Sequence, residues 1–286
     1  MNSPSVQARN GVEIPLLGFG VYKLNRKEHL EQAVDEAIRT GYRHFDTARI
    51  YKNEHHLGEA VRRSGIDRSE FFLTSKIWNT DLGYSSAKKA FERTLKQLGI
   101  DYLDMYLIHF AAPGYMDTWR ALEELYEEGK VRVIGTANFG KARLERLMDG
   151  ARIPPMLNQI ETHPEYAQKE LHAFMDAHGI LHQAWAPLGQ GNPELLRHPQ
   201  LLTIAARHGK TVAQIILRWH LQRGIISIPK SANPRRIREN FDIFRFTLEE
   251  KDMRTLYALD RNRRYAIDPD GYIVNPLYNK AMRWFL

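Results

Sequence analysis

The sequence alternates between short apolar runs and longer amphipathic stretches, and this alternation restricts the folds open to the chain. The apolar runs predict strands at residues 17–21, 43–46, 72–76, 105–109, 131–137, 157–160, 181–184 and 225–229. Between them, apolar residues recur at three- and four-residue spacing, as in 28–40, 85–98 and 211–222. Glycine follows the first two stretches directly and the third after one residue, as expected after a helix. The chain therefore reads as a series of strand–helix units.

Eight such units in 286 residues favour a (β/α)8 barrel, an α/β fold of the TIM type. A doubly wound open sheet is the alternative, because eight strands alone do not exclude it. Asn10-Gly11, between VQAR and VEI, predicts a tight hairpin turn that could cap the bottom of the barrel. No repeat, low-complexity tract or linker interrupts the pattern, so we expect one domain over residues 1–286.

The composition is that of a soluble enzyme with a large core, with 43% hydrophobic and 26% charged residues. No window approaches ~18 uninterrupted apolar residues, and the N-terminal segment MNSPSVQARNGVE has no apolar signal core. We therefore expect a cytoplasmic protein. The absence of cysteine excludes disulfides, thiolate metal ligands and a cysteine nucleophile.

The formal net charge of +7 is compatible with nucleic acid, anionic lipid or an anionic small molecule as a partner. Lysine and arginine are distributed over the predicted helix faces, and the one local cluster is Arg235, Arg236 and Arg238. No basic stripe is interleaved with aromatic residues. We therefore expect a small-molecule ligand and neither a nucleic-acid nor a membrane partner.

Polar residues at the ends of three consecutive predicted strands indicate a catalytic site. Asp46 ends the second strand, Tyr51 follows in its loop, Lys76 ends the third strand and His109 ends the fourth. The active site of a (β/α)8 barrel lies at the carboxyl ends of its strands. Each of these residues alone is more often structural, but together they place a carboxylate, a phenol, an ammonium and an imidazole at one rim.

This combination can donate a proton. Lys76 close to Tyr51 would stabilise the tyrosinate, while Asp46 would orient the ammonium. A cation at ~4 Å in an effective dielectric near 20 is worth roughly 4 kcal/mol, or about three pKa units before desolvation. We therefore expect the pKa of Tyr51 to fall toward neutrality, with His109 orienting a carbonyl group. None of these groups attacks carbon, so a cofactor must supply a hydride.

The sequence contains no Rossmann fingerprint for such a cofactor. The glycine pairs at 18–20 and 189–191 stop after two glycines, short of GxGxxG. The segment IPKSANPRRIREN instead runs from the eighth strand into a helix start, where barrels often bind phosphate. The anion-binding candidates in it are Lys230, Ser231, Arg236 and Asn240.

Seven blocks in order resemble the aldo-keto reductases, over nearly the whole chain. They are GYRHFDTARIYKNE, FFLTSK, YLIH, IGTANF, LNQIE, AWAPLGQG and IPKSANPRRIREN. AWAPLGQG and LRWHLQRG are similar to the bacterial branch that contains 2,5-diketogluconate reductases. The resemblance implies a barrel that uses NADPH to reduce an aldehyde or ketone, such as a keto-sugar, an α-keto ester or a small aldehyde, to an alcohol. We expect the protein to be a monomer.

The resemblance also implies residue roles. It makes Asp46, Tyr51, Lys76 and His109 the catalytic tetrad, with Tyr51 as the general acid. Asn138 and Gln159 would hold the nicotinamide carboxamide and Trp185 would stack on its ring, and the remaining implied cofactor-binding residues are Leu188, Gln190, Lys230, Ser231, Arg236 and Asn240. The last four would hold the adenosine phosphate end and favour NADPH over NADH.

Two departures from the family pattern bear on the site. Ala137 stands where many relatives have serine, which removes one hydroxyl from the carboxamide site. IHFAAP replaces the usual IHWP, so Phe110 enters where an indole often walls the substrate pocket. The candidate substrate-binding residues are Tyr22, Trp78, His109 and Phe110. The tail at 268–286, with Tyr272, Tyr278, Trp284 and Phe285, could cover the mouth of the pocket or dock on the barrel.

A metal site and a non-catalytic role are the alternatives to this interpretation. His55 and His56 are adjacent and lack an HExxH spacing, so we expect no metal site. A barrel that keeps cofactor binding but acts as a sensor, a regulatory subunit or a structural protein is the functional alternative. The intact tetrad favours the enzyme, and a cofactor-consumption assay discriminates between the two.

Overall fold

A closed barrel of parallel strands forms the centre of the computed structural model, which describes residues 3–266, 268, 269 and 271. The barrel strands are β3 (Phe19–Gly20), β4 (His44–Asp46), β5 (Phe72–Ile77), β6 (Leu103–Ile108), β7 (Val131–Ala137), β8 (Leu157–Glu161), β9 (Leu181–Trp185) and β10 (Ile226–Ser227). They pair in chain order from β3 to β10. A parallel bridge between Leu17 and Ser227 then joins the last strand to the first. The barrel prediction is confirmed, and the doubly wound alternative is wrong.

The first and last barrel strands are shorter than predicted, although their pairing extends beyond the assigned residues. The Gly18 N–H donates to the Ser227 carbonyl at 2.8 Å, and the Gly20 N–H donates to the Pro229 carbonyl at 3.1 Å. A methyl group added to Gly20 would lie 3.0 Å from the Ile228 carbonyl oxygen. Glycine at the junction of β3 and β10, which we call the seam, therefore allows these two strands to approach closely enough to close the barrel.

Helices cover the outside of the barrel and follow the predicted caps. They are α1 (Lys27–Thr40), α2 (Glu54–Arg63), α3 (Tyr84–Leu98), α4 (Tyr115–Glu127), α5 (Lys141–Gly150), α6 (Lys169–Ala177), α7 (Pro193–Leu196), α8 (Pro199–His208), α9 (Val212–Gln222), α10 (Pro234–Phe241) and α11 (Glu250–Ala258). Gly41 and Gly99 end α1 and α3 in the left-handed conformation. Thr211 caps α9 in a capping box with Gln214. The three predicted helices are confirmed to within a residue at their starts.

A two-stranded hairpin closes the bottom of the barrel, as predicted. Its strands β1 (Ser5–Gln7) and β2 (Glu13–Pro15) pair antiparallel. Arg9 donates to the Gly179 carbonyl at 3.1 Å, and Asn10 Nδ2 donates to the Arg132 carbonyl at 2.8 Å. Both carbonyls lie near the amino ends of barrel strands, so the opposite rim, where the strands end, is left for a site.

The core lies inside the barrel and between the barrel and its helices. All six residues of β5 and all six of β6 are buried, as expected for parallel strands covered on both faces. A second apolar cluster around Trp219 joins α8, α9 and α11. These packed strands form a rigid frame for the residues at their carboxyl ends. In the described part of the chain, no helix has the length and apolar character to cross a membrane.

Candidate active site

The four predicted catalytic side chains lie together at the carboxyl-end rim of the barrel. Asp46 is the last residue of β4, Lys76 lies near the end of β5, and His109 directly follows β6. Tyr51 is carried by a 3-10 turn, Arg49–Tyr51, in the loop after β4. Asp46, Lys76 and His109 are buried, and Tyr51 is half-buried. The convergence predicted from strand ends is therefore present in the structure.

A buried ion pair forms the base of the site. Lys76 Nζ donates to Asp46 Oδ1 at 2.5 Å and to the Thr47 carbonyl at 2.8 Å. Gln159 Nε2 donates to the other carboxylate oxygen of Asp46 at 2.8 Å. Burial lowers the pKa of Lys76, and the contact with Asp46 opposes this shift. Asp46 therefore keeps a buried ammonium charged and holds it in one orientation.

The ammonium of Lys76 lies 5.2 Å from the ring centre of Tyr51. The pKa of Tyr51 nevertheless rises well above its ordinary value because of burial first, and then of Asp46 and Tyr22. The prediction that the pKa of Tyr51 falls toward neutrality is therefore wrong. Asp46 neutralises much of the charge of Lys76, and burial removes the water that would stabilise a tyrosinate. Tyr51 is consequently held as a protonated donor.

His109 is held as a neutral imidazole between aromatic rings. It stacks on Phe110 at 5.1 Å between ring centres and meets Trp78 edge-on at 5.1 Å. Burial, followed by the charge of Lys76, lowers the pKa of His109 well below its ordinary value. Its Nδ1 has no hydrogen-bond partner among the described residues. A neutral imidazole carries one donor and one acceptor, so His109 can hydrogen-bond a polar ligand without a net charge.

Asn138, Gln159 and Trp185 form a hydrogen-bonded layer beside this group. Asn138 Nδ2 donates to the His109 carbonyl at 3.0 Å, and Trp185 Nε1 donates to Asn138 Oδ1 at 3.0 Å. The backbone N–H of Asn138 donates to the Gln159 carbonyl at 2.9 Å. Asn138 adopts φ 63°, the left-handed region that asparagine tolerates better than most residues. The carboxyl ends of β6 to β9 are thereby tied to one another.

The loop after β9 carries Leu188 and Gln190 over the same rim. Leu188 is half-buried against the second apolar cluster, and Gln190 is exposed in a left-handed conformation, with φ 56°. Gln190 Nε2 donates to the Tyr265 carbonyl at 3.3 Å. Glycine flanks Gln190 on both sides in a 3-10 turn, Gly189–Gly191, which lets the loop turn tightly.

The predicted anion site lies at the start of α10, after β10. Asn233 caps the helix by accepting from the Arg236 N–H at 3.2 Å, and Ser231 Oγ accepts from the Asn233 N–H at 3.0 Å. Lys230 and Arg236 are exposed, whereas Ser231 and Asn240 are buried. Two cations and a helix start thus occupy the same part of the rim.

Lys23 joins this basic region, although it was not among the residues predicted from the sequence. Burial, followed by the charge of Lys23, lowers the pKa of Lys230. Lys23 follows β3 in a left-handed conformation. Its position in a loop after a strand was the available signal, because the other site residues were found by that rule.

Thr47 and Asn53 were also missed, although both lie in the block that contains Asp46 and Tyr51. Thr47 Oγ1 donates to Asn53 Oδ1 at 2.8 Å, and Asn53 Nδ2 donates to the Val21 carbonyl at 2.9 Å. Both side chains are buried. They join the loop that carries Tyr51 to the loop after β3.

The candidate substrate residues surround Tyr51 and His109. The ring of Tyr22 lies 5.0 Å from that of Tyr51, and Trp78 meets Phe110 at 5.8 Å. Tyr22 is 52% exposed, Trp78 is buried and Phe110 is half-buried, so these rings form the wall of an open rim. The predicted tail residues Tyr272, Tyr278, Trp284 and Phe285 lie outside the described residues.

A possible set of metal ligands lies on α2, outside the tetrad. Ligand atoms of His55, His56 and Glu59 lie within 4.8 Å of one another. Glu59 lies four residues after His55 and three after His56, a helical spacing that was the available sequence signal for this cluster. Lys27 Nζ lies 3.1 Å from Glu59, so an ammonium already contacts the carboxylate. The expectation that the protein holds no metal stays a prediction.

Comparison with known proteins agrees with this geometry. Residues 16–261 match the aldo/keto reductase family. A glyoxal reductase of Bacillus subtilis is 49% identical over 93% of this chain and 96% of its own, and the methylglyoxal reductase DkgA of Escherichia coli O157:H7 is 38% identical over 95% and 98%.

Solved structures give the same result. An aldo/keto reductase from Brucella melitensis superposes with a TM-score of 0.87 at 50% identity, covering 91% of this chain and all of the other. A Bombyx mori aldo-keto reductase in complex with NADP superposes with a TM-score of 0.89 at 32% identity, covering 97% and 99%. With its barrel, its rim and nearly its full length shared with these proteins, the chain belongs to the aldo/keto reductase family.

Proposed function

We propose that the protein reduces an aldehyde or ketone to an alcohol with NADPH, and that Tyr51 is the general acid. The observation that carries the proposal is the buried Asp46–Lys76 ion pair beside a protonated Tyr51 and a neutral His109. NADPH supplies the hydride when it is bound. The complete set of proton-transfer groups favours an enzyme over a barrel that only binds the cofactor.

The four side chains have separate tasks in this proposal. Tyr51 donates its hydroxyl proton to the carbonyl oxygen as negative charge develops there. The tyrosinate that results lies beside the ammonium of Lys76, which then stabilises it. His109, neutral, donates a hydrogen bond that orients the same oxygen. Asp46 keeps Lys76 charged and in place throughout.

The groups on the rim suit the two ends of the cofactor. The amides of Asn138 and Gln159 offer both donors and acceptors, as a carboxamide requires, and Trp185 offers an aromatic face beside them. At the other end, Lys230 and Arg236 can hold a phosphate, Arg236 as a fork and Lys230 as a point charge. Ser231, Asn240 and Lys23 complete a basic site that favours NADPH over NADH, while Leu188 and Gln190 lie in the loop between the two ends.

We infer that the substrate is a small carbonyl compound. Tyr22, Trp78 and Phe110 place apolar rings around Tyr51 and His109, which suits a short, weakly polar carbon chain. Glyoxal and methylglyoxal are the first compounds to test, because two relatives carry these names. 2,5-Diketogluconate, a longer and anionic keto-sugar, tests the alternative that the resemblance to the 2,5-diketogluconate reductase branch offers. We also propose that residues 1–286 form one domain and that the protein is a cytoplasmic monomer.

Replacing Tyr51 with phenylalanine tests the general acid. Tyr51→Phe removes the transferable proton and little else, so kcat for NADPH oxidation should fall by ~10²–10⁴-fold. The Kd for NADPH should stay within about twofold of wild type. Tyr102 directly precedes β6, so Tyr102→Phe is the matched control and should leave both quantities unchanged. A Tyr51→Phe enzyme with more than about a tenth of the wild-type kcat would refute the assignment.

A further inference from the structure

Residues 261–265, which follow α11, lie across the carboxyl-end rim and contact the loops after β8 and β9. We call this segment the clasp. The backbone N–H groups of Arg261 and Arg263 donate to the Glu165 carbonyl at 3.1 and 3.0 Å. Arg263 also donates to Glu194 Oε2 at 2.6 Å, at the start of α7. The clasp is therefore bonded to both loops at once.

Two buried carboxylates hold Tyr265 at the end of the clasp. Its backbone N–H donates to Glu161 Oε1 at 2.7 Å, and its hydroxyl donates to Glu165 Oε2 at 2.5 Å. Glu161 and Glu165 are 1% and 2% exposed. Because a buried carboxylate is unfavourable without donors, these hydrogen bonds favour one position of Tyr265 strongly. Burial, followed by the bond to Glu165, raises the pKa of Tyr265 to about 12, so the hydroxyl stays a donor.

Tyr265 also packs on the loop after β9. A methyl group added to Gly189 would lie 2.9 Å from a carbon of the Tyr265 ring, so the ring rests directly on this glycine. The Tyr265 carbonyl accepts from Gln190 Nε2, and Leu188 packs against the same apolar cluster as Tyr265. The loop contains left-handed Ala186 and Gln190, a conformation that non-glycine residues keep only where surrounding contacts hold them.

We propose that Tyr265 is a positioning residue that holds the loop of Leu188 and Gln190 in its cofactor-binding arrangement, and that the clasp thereby limits the rate of NADPH release. The inference rests on the proposed cofactor role of that loop. A loop that is already ordered loses less conformational entropy when it binds a ligand, so the ligand binds more tightly. A loosened loop opens more often, and the cofactor then leaves faster.

The test is the rate of NADPH release from the full chain, measured by stopped-flow fluorescence after mixing with excess NADP⁺. Tyr265→Phe should raise this rate roughly tenfold, since a hydrogen bond to a charged group is lost. The rate of hydride transfer in a single turnover should stay within about twofold of wild type, because the tetrad is not touched. Tyr84→Phe is the matched control, because the Tyr84 hydroxyl also donates to a carboxylate, Glu124, between α3 and α4.

Amide hydrogen exchange of the loop at 186–194 measures the effect of the clasp on the loop independently of its effect on NADPH release. Exchange in the cofactor-free chain should be faster in Tyr265→Phe than in wild type and Tyr84→Phe. If loop exchange in Tyr265→Phe equals that of wild type, Tyr265 does not hold the loop, whether or not NADPH binds. If exchange is faster but the rate of NADPH release is unchanged, Tyr265 holds the loop without limiting release of the cofactor. A wild-type chain that binds no NADPH would overturn the proposed function. Glu165→Gln, which weakens the same bond, serves if Tyr265→Phe does not fold.

Discussion

Removing the charge of Asp46 should destabilise the protein through Lys76. In Asp46→Asn the ammonium of Lys76, which is fully buried, loses a carboxylate at 2.5 Å and keeps the Thr47 carbonyl at 2.8 Å. Breaking a buried ion pair from one side costs ~3–5 kcal/mol of unfolding free energy. A lysine can avoid the uncompensated charge by losing its proton, at a cost of roughly 5 kcal/mol at pH 7. The two figures agree, and we expect a loss of about 3–5 kcal/mol near pH 7.

The loss should depend on pH in a defined direction. Burial lowers the pKa of Lys76 in the folded protein, and without Asp46 only the smaller effect of the Glu54 charge opposes this shift. The unfolded chain therefore binds a proton that the folded variant does not, so the unfolding free energy rises with pH. The slope for one such proton is ~1.4 kcal/mol per pH unit, and it extends up to the unfolded pKa near 10.4. The penalty is thus full at low pH and shrinks as pH approaches about 10.

Urea unfolding of wild type and Asp46→Asn between about pH 7 and about pH 9 measures both effects. Asp46→Asn/Lys76→Met removes both charges and should recover much of the lost stability, because an apolar pair of similar volume needs no compensation. A loss below about 1 kcal/mol at pH 7, or a loss that does not shrink as pH rises, would refute the reasoning.

Three further results are expected. Arg236→Ala should raise the KM for NADPH and leave the KM for NADH nearly unchanged, and the preference of the wild type for NADPH over NADH should weaken as the salt concentration rises. Equal effects of the substitution on both cofactors would show that Arg236 does not contact the extra phosphate. NADPH should quench the protein fluorescence, and Trp185→Ala should remove much of the quenching and weaken NADPH binding. Trp78→Phe is the control. A Trp185→Ala titration curve like that of wild type would exclude stacking of Trp185 on the nicotinamide. Burial lowers the pKa of His44 to about 4, so between pH 6.5 and 4 the unfolded chain binds a proton that the folded chain does not bind. The unfolding free energy should therefore fall by roughly 3 kcal/mol from this residue alone as pH drops from 6.5 to 4. Urea unfolding over this range checks it, and His44→Gln should flatten the dependence; an equal slope in the variant would exclude His44 as its source.

The sequence alone determined the barrel and the place of the catalytic group. Apolar periodicity and glycine caps depend on residues close together in the chain, so eight strand–helix units could be recognised locally. Once the strands were assigned as parallel, Asp46, Lys76 and His109 had to meet at one rim, because all carboxyl ends of such a barrel lie on the same side. The strand ends at the seam were harder to predict, since Gly18 and Gly20 pair with residues more than two hundred positions away.

Only the tertiary structure decided the ionisation of the site and the contacts between its loops. The charge of Lys76 alone predicted a lowered pKa for Tyr51, but the direction of the shift depends on burial, on Asp46 and on Tyr22 together. Gln159 reaches Asp46 across 113 residues, and Tyr265 reaches Glu161 across 104. No local pattern encodes such pairs, because barrel closure brings them together and the loss of water there sets their energies.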